Sequence, residues 1–168
     1  HMPFEIRRGT NISHWLSQSD RRGAERVAWF GREDVQRIAG HGYDHVRIPV
    51  DEEQMWDPSG REEPEAFDLL EQALGWCREV GLRAVVDLHI LRSHHFNQKE
   101  TPALWTDAAQ AERFGDFWRS LSARLRHWPN DQVAYELMNE AVAPTAEGWN
   151  RVYPYGLRAV RESEPGRQ

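Results

Sequence analysis

The stretch Val133-Ala134-Tyr135-Glu136-Leu137-Met138-Asn139-Glu140 decides the fold, because an apolar run delivers an adjacent Asn and Glu where a strand should stop. Parallel α/β folds place their chemistry at such strand ends. Alternation of side chains predicts that Glu136, Met138 and Glu140 share one face of the strand. Asn139 is expected on the other face. The regular alternation relaxes at the strand end, so the side chains of Asn139 and Glu140 can both reach one ligand there.

A carboxyl group beside a carboxamide suits the cleavage of a sugar polymer. Glu140 could donate a proton to a leaving oxygen, while Asn139 orients a neighbouring hydroxyl group, and cleavage of a glycosidic bond requires both tasks. The alternative is a solvated polar pair at a strand exit, because strand ends are commonly polar. The pair alone does not decide between these interpretations, so the preceding strands carry the argument.

Three earlier segments repeat the same design of a short apolar strand that ends on polar or aromatic residues. They are Gly9-Thr10-Asn11-Ile12-Ser13-His14-Trp15, His45-Val46-Arg47-Ile48-Pro49-Val50 and Arg83-Ala84-Val85-Val86-Asp87-Leu88-His89-Ile90. The sequence therefore predicts strands near 9–15, 45–50, 83–90 and 133–140. Helical patterns separate them at a spacing of about 40 residues, which predicts βαβ units and a parallel sheet.

The helices are predicted from their apolar periodicity. Pro64 suits a first helical turn, and Asp107 suits the start of a second helix. A shorter helix is expected over 33–39, and a last one after Thr145, which Pro154 should strain or break. The first two helices carry apolar stripes formed by Phe67, Leu70, Leu74 and Cys77 and by Phe114, Phe117, Leu121 and Leu125.

Length and composition limit the class of protein. A chain of 168 residues without an internal linker is expected to form a single folded unit over 1–168, and the opening His1-Met2 is typical of vector-derived residues. The net charge of −6 and the lack of a basic tract argue against a nucleic-acid partner. No apolar stretch is long enough for a membrane span. The single cysteine, Cys77, is expected to be a buried small hydrophobe.

Four motifs together resemble a known family. The motifs are Arg8-Gly9-Thr10-Asn11-Ile12 before Trp15, Val46-Arg47-Ile48-Pro49, Val86-Asp87-Leu88-His89 and Tyr135-Glu136-Leu137-Met138-Asn139-Glu140. Their order and spacing resemble the first four strands of the glycoside hydrolase family 5 cellulases, from about Phe4 to the C-terminus. The resemblance implies an α/β fold of the (β/α)8 TIM-barrel type, of which this chain would cover the first four βα units as a half-barrel.

The resemblance also implies roles for individual residues. Glu140 matches the family's general acid/base, and Asn139 matches the neighbour that orients the substrate. Arg47 would lie near the nucleophile and keep it ionised, because a cation lowers the pKa of a nearby carboxylate. His89 would line the sugar site, and no metal or other cofactor is implied. A structural ion pair at a sheet end is the alternative for Arg47.

The sequence departs from the family pattern in its extent. The family's nucleophile lies on strand seven, and a complete barrel needs about 250 residues, so the nucleophile is expected outside this chain. A half-barrel would expose the edges of its first and fourth strands. We expect a C-terminal half-barrel or a second copy of the chain to cover them. Ala141 stands where the family most often has Pro, which a loop tolerates.

Aromatic residues and histidines offer further candidates. Trp15 and Trp149 are predicted to stack on sugar rings, with packing as loop anchors as the alternative. Trp56 and Trp105 are weaker candidates of the same kind, and Asn97 falls in a loop that would face substrate. A second hypothesis is a zinc site formed by His89, His94 and His95. Adjacent histidines tend to diverge, so no metal site is predicted.

The resemblance thus implies the N-terminal half of a retaining glycoside hydrolase that cleaves internal β-glycosidic bonds of a β-glucan or cellulose-type polysaccharide. An oligosaccharide is the smaller substrate of the same class. The alternative is a non-catalytic half-barrel that binds carbohydrate or needs a partner chain to complete its fold. The resemblance implies a secreted or periplasmic protein, although the sequence shows no signal peptide.

Overall fold

Four parallel strands form the centre of the protein, as described by a computed structural model of residues 2–168. The strands are β1 (Gly9–Asn11), β2 (His45–Val50), β3 (Arg83–Leu88) and β4 (Val133–Glu136). They form one sheet in the order β1-β2-β3-β4, and every neighbouring pair is parallel. The predicted parallel α/β fold is therefore confirmed. His1, the first residue of the suspected vector-derived pair, lies outside the described residues.

Within residues 2–168, seven helices occupy the connections between strands and the segment after β4. They are α1 (Gly23–Trp29), α2 (Arg32–Gly40), α3 (Glu52–Met55), α4 (Pro64–Glu79), α5 (Ala103–Thr106), α6 (Ala108–Leu125) and α7 (Ala146–Ser163). Pro64 takes the first position of α4, where its missing N–H leaves no intrahelical bond unmade. Asp107 caps α6 by accepting a hydrogen bond from the backbone N–H of Ala109 at 3.0 Å.

Three strands are shorter than the sequence segments that indicate them. β1 ends at Asn11, because the chain turns sharply after it and His14 takes a left-handed conformation with φ of 59°. β4 ends at Glu136, and Glu140 is also left-handed with φ of 38°. A left-handed residue interrupts an extended ladder, so the strand pattern ends before these positions. Met138 consequently leaves the face of Glu136 and packs in the core.

The core lies between the outer face of the sheet and the helices. Alternate strand residues such as Val46, Ile48, Val86 and Leu88 are completely buried there. The predicted apolar stripes of α4 and α6 are buried against the same core. Cys77 lies in the α4 stripe, and burial raises the pKa of its thiol to about 12. The inner face of the sheet is polar, and it positions the candidate site.

Helix α7 does not break at Pro154, so of the two expected outcomes the structure shows a helix that continues through the proline. It runs unbroken over 18 residues with Pro154 in its interior. Two glycines explain why the lost hydrogen bond is tolerated: Gly156 lies against the rings of Phe114 and Trp118, and Gly115 of α6 lies against the backbone of Tyr155. The missing side chains allow α6 and α7 to pack closely, and this contact stabilises the continuous helix.

The C-terminal residues return to the free side of β4. The backbone N–H of Tyr135 donates to the carbonyl of Gln168 at 2.8 Å, in the position where a neighbouring strand would pair. The buried Arg167 side chain donates to backbone carbonyls and pairs with Glu164 at 2.6 Å. These carbonyls belong to Trp128, Pro129 and Val133. Among residues 2–168, no helix combines the length and apolar character needed to cross a membrane.

Candidate active site

Arg47 is the centre of a polar cluster on the inner face of the sheet. Its guanidinium group holds Glu136 of β4 by two hydrogen bonds, of 2.7 and 2.8 Å. It also donates to the side-chain oxygen of Asn139 at 3.0 Å and to that of Asn11 at 3.1 Å. Arg47 pairs with Asn11 in the β1–β2 register, which explains their proximity. One side chain therefore connects the carboxyl ends of β1, β2 and β4.

Asp87 of β3 lies completely buried beneath this cluster. Its Oδ2 atom lies 3.0 Å from Arg47 Nη2 and 2.6 Å from His89 Nδ1. Burial raises the pKa of Asp87, although the hydrogen bond from His89 and the charge of Arg47 act in the opposite direction. The pKa of Arg47 is raised, chiefly by its hydrogen bonds to Glu136. Arg47 therefore remains a cation, and Asp87 holds Arg47 and His89 at a fixed separation.

The hydrogen bonds of His89 assign its neutral tautomer. Nδ1 faces the Asp87 carboxylate, which can only accept when ionised, so Nδ1 carries the proton. Nε2 then accepts from the side-chain amide of Gln18 at 3.2 Å. His89 is buried, and the edge of Phe96 packs against it with ring centroids 5.4 Å apart. The ring is thus fixed by three neighbours, with Nε2 directed at the loop after β1.

Asn139 and Glu140 differ in their surroundings although they are adjacent. Asn139 is 6% exposed, and its backbone N–H donates to the carbonyl of Leu88 at 3.1 Å. Its side-chain nitrogen is buried and has no hydrogen-bond partner among residues 2–168. Glu140 is exposed, and its charge contributes to the raised pKa of Arg47, so the two lie within electrostatic range. An exposed carboxyl group is thus available to a ligand at this strand end, next to a buried amide nitrogen that has no hydrogen-bond partner within the described residues.

The loops after β1 and β2 are joined by Asp51, which sequence reasoning did not single out. Asp51 accepts hydrogen bonds from Ser17 Oγ and from the backbone N–H of Gln18, both at 2.7 Å, and from that of Ile90 at 3.1 Å. Burial raises the pKa of Asp51. These contacts fix Gln18 beside His89. Gln18 lies in no recognisable motif, so only the fold reveals its position.

The tryptophans predicted to stack on sugars are mostly core residues. Trp15 is 1% exposed, donates its indole N–H to the carbonyl of Arg26 at 3.0 Å and packs on Phe30, so it is not available for stacking. Trp56 and Trp105 are also buried. Trp149 lies in the first turns of α7 and is half-buried against Trp105. The structure brings Arg47, His89 and Asn139 together beside Glu140, without Trp15.

The three histidines considered for zinc do not converge. His89 is bonded to Asp87 and Gln18, His95 is exposed and stacks on Phe96, and His94 is completely buried against Trp105 at 5.4 Å. Within the described part of the chain, no group of three or more His, Cys, Asp or Glu side chains is arranged to hold a metal ion. The histidines therefore belong to three different environments.

His94 should make stability sensitive to acid. Burial lowers the pKa of His94 below its ordinary value, so the unfolded chain takes up a proton more readily than the folded one. Its stabilising contribution is complete above about pH 6.5 and is lost as the pH falls below that value. We expect His94→Phe to lose less stability than the unmodified chain between pH 7 and pH 5, measured by urea unfolding. His41→Gln changes an exposed histidine and serves as the control, and identical pH profiles for His94→Phe and the unmodified chain would refute the assignment.

The family model described as Cellulase (glycosyl hydrolase family 5) matches residues 10–167. Endoglucanase C of Acetivibrio thermocellus is 32% identical over 162 residues, which are 95% of this chain and 47% of that protein. Cellodextrinase A of Ruminococcus flavefaciens is 30% identical over 163 residues, which are 95% of this chain and 48% of that protein. The chain spans about half the length of the curated relatives it matches.

The chain also matches about half the length of solved structures when the folds are superposed. The cellulose synthase subunit Z from Clostridioides difficile superposes with a TM-score of 0.78 at 20% identity, covering 98% of this chain and 51% of that one. Thermotoga maritima Cel5A in complex with cellobiose gives a TM-score of 0.75 at 22% identity. That match covers 97% of this chain and 50% of the Cel5A chain. Both support the half-barrel fold. The family model spans nearly the whole chain, and the chain therefore belongs to glycosyl hydrolase family 5.

Proposed function

We propose that this chain supplies the acid half of the active site of a retaining glycoside hydrolase that cleaves internal β-glycosidic bonds of a β-glucan. Glu140 acts as general acid and then as general base, and Asn139 orients a sugar hydroxyl group. Arg47 keeps the partner carboxylate ionised, and His89 lines the sugar site. The nucleophile is supplied from outside residues 1–168.

The observation that carries this proposal is the convergence on Arg47. Arg47 bonds directly to Asn139 and, through the buried Asp87, holds the position of His89. Glu140 lies exposed beside this group. A sugar needs several fixed donors and acceptors around the reacting bond, and a carboxyl group free to move a proton. The cluster offers both at the carboxyl end of parallel strands, where barrel enzymes react.

The substrate class follows from the family and the names of its members. Relatives of this chain are named endoglucanase and cellodextrinase, so we propose a polysaccharide or oligosaccharide of β-linked glucose as substrate. A polysaccharide is too large to cross a membrane unaided. We therefore propose that the reaction takes place outside the cell or in the periplasm.

The sheet needs a second half to form a closed site. The backbone N–H of Tyr135 already donates one hydrogen bond of 2.8 Å to the carbonyl of Gln168 on the free side of β4. Unpaired strand edges promote association, and closing the barrel removes them. We propose that residues 2–168 form one unit that a second half-barrel completes, with a second copy of this chain as the other arrangement.

A fused barrel tests the function. This chain is joined at Gln168 to the C-terminal half of endoglucanase C, and reducing-sugar release from soluble β-glucan is measured beside the unfused chain. We expect release only from the fused barrel, because the unfused chain has no nucleophile. A folded fused barrel that binds β-glucan without cleaving it would refute the proposal and favour a non-catalytic, carbohydrate-binding half-barrel.

A further inference from the structure

A cavity of about 340 Å³ opens between the first turns of α6 and α7, with α5 along one side. This volume lies within the range of about 300–1,000 Å³ that is usual for pockets that bind small molecules. The residues that line the cavity belong to α5, α6, α7 and the turn between α5 and α6, and the cluster around Arg47 is not among them. The cavity is therefore separate from the candidate active site. Its floor consists of buried apolar side chains, which are Leu104, Trp105, Ala111 and Val152.

The packing of α6 against α7 explains why this space is left open. Gly115 and Gly156 bring the two helices into close contact, because the backbone of Tyr155 lies against Gly115 and the ring of Phe114 lies against Gly156. Nearer the start of α6, the residues that face the cavity are alanines, at positions 108 and 111. Their methyl groups are too small to fill the gap between the helices. The cavity is thus a consequence of the sequence of α6 and α7.

Two hydrogen-bond donors belong to the lining of the cavity. Arg151 is exposed on α7, and its Nη2 donates to the carbonyl of Trp105 at 3.0 Å, which holds the guanidinium group at the rim. A guanidinium group has five N–H donors, so others remain for a ligand. The indole N–H of Trp105 is buried and has no hydrogen-bond partner within the described part of the chain. A buried donor without an acceptor is costly, so a ligand that accepts from it would be stabilised.

The other formal charge on the rim belongs to Asp107. Its Oδ1 accepts the backbone N–H of Ala109 at 3.0 Å as the cap of α6, so its negative charge is partly offset by the positive end of the helix dipole. Tyr155 is half-buried and adds a second aromatic side chain to the indole of Trp105. The cavity therefore combines an apolar, aromatic interior with a fixed cation and an unpaired donor.

We propose that this cavity binds a small carboxylate with a flat apolar body. The carboxylate accepts hydrogen bonds from Arg151, and the indole N–H of Trp105 is a second donor to it. The apolar body lies against the side chains of Trp105 and Tyr155. A sugar suits this cavity less well, because the apolar floor offers no partners for its hydroxyl groups. The site does not depend on Glu140, so this proposal and the proposed hydrolysis are tested separately.

Titration of the 168-residue chain with 3-phenylpropionate tests the site, with the indole N–H resonances of the tryptophans as the readout. We expect the Trp105 resonance to move downfield as the N–H gains an acceptor, with a dissociation constant of about 1 mM, which is usual for a ligand of this size. The Trp128 indole is also buried without a partner but lies outside the cavity, so its resonance should not move. 3-Phenylpropanol has the same body without the charge, and it should bind about tenfold more weakly.

Two arginine variants test the contact with the carboxylate. Arg151→Gln removes the cation and should weaken binding of 3-phenylpropionate about tenfold. Arg158→Gln changes an exposed arginine on the same helix outside the cavity, and the affinity should not change. Both side chains are exposed, so the fold should be retained, and thermal unfolding checks this.

Three results would overturn the proposal. The first is a Trp105 resonance that does not move at a concentration about twenty times the expected dissociation constant. The second is an affinity of Arg151→Gln equal to that of the unmodified chain. The third is a Trp105 shift caused by cellotetraose but not by 3-phenylpropionate, which would make the cavity a sugar site. None of these results bears on hydrolysis by the fused barrel.

Discussion

Replacing Glu140 with Gln is expected to lower β-glucan hydrolysis by the fused barrel about 10²–10⁴-fold, the usual contribution of a general acid. Gln keeps the size and shape of Glu, so it adds no strain at this left-handed position, where φ is 38°. The side chain is exposed, and the fold should therefore be unaffected. Initial rates of reducing-sugar release measure the loss, and thermal unfolding checks the fold.

A second substrate tests whether Glu140 acts as an acid, because the activity lost in Glu140→Gln should depend on how much the leaving group needs a proton. A dinitrophenyl cellobioside has a leaving group that departs without protonation, so bond cleavage should be much less affected in Glu140→Gln on this substrate than on β-glucan. Glu112→Gln changes an exposed carboxylate on α6 and serves as the matched control. Equal losses on both substrates would show that Glu140 has a role other than protonating the departing oxygen.

Replacing Arg167 with Ala is expected to destabilise the chain by about 3–5 kcal/mol, the cost of leaving a buried charge without its partner. Arg167 and Glu164 are both buried, and their closest atoms are 2.6 Å apart. The substitution also removes the donors to the carbonyls of Trp128, Pro129 and Val133. Urea unfolding of the 168-residue chain measures the change in the free energy of unfolding.

Two further variants test the cause of this loss. Arg158 is exposed on α7, and Arg158→Ala should change the free energy of unfolding by less than about 0.5 kcal/mol. Arg167→Lys keeps the charge but loses the planar fork, so its loss should be intermediate. If Arg167→Ala were as stable as Arg158→Ala, the buried pair would not anchor the C-terminal residues against β4.

The parallel fold was predictable because strand and helix patterns alternate regularly along the chain. Apolar stripes such as that of α4 fixed the helices, and four ordered motifs indicated the family. The strand ends were not predictable, because they depend on single left-handed residues such as His14 and Glu140. The continuity of α7 at Pro154 depends on its packing against α6, which the local sequence does not show.

The candidate site was predictable where it lies at strand ends. Asn139 follows from that rule, whereas Arg47 and His89 follow from the resemblance to the family, and the catalytic roles of all three remain predictions. The contacts that fix them join residues distant in sequence, such as Arg47 with Glu136 and Gln18 with His89. No local pattern reports such contacts. Trp15 failed as a sugar platform because sequence does not distinguish a loop tryptophan in the core from one at the surface.

Covalent trapping tests most directly whether the two carboxylates are divided between this chain and a second half-barrel. The fused barrel is incubated with a dinitrophenyl 2-deoxy-2-fluoro-cellobioside, which lets a retaining enzyme form its glycosyl intermediate but slows its hydrolysis. Peptide mass spectrometry should place the label on a carboxylate of the added half, and the unfused chain should remain unlabelled. A label on a carboxylate within residues 2–168 would contradict the account, as would a fused barrel that cleaves β-glucan without ever being labelled.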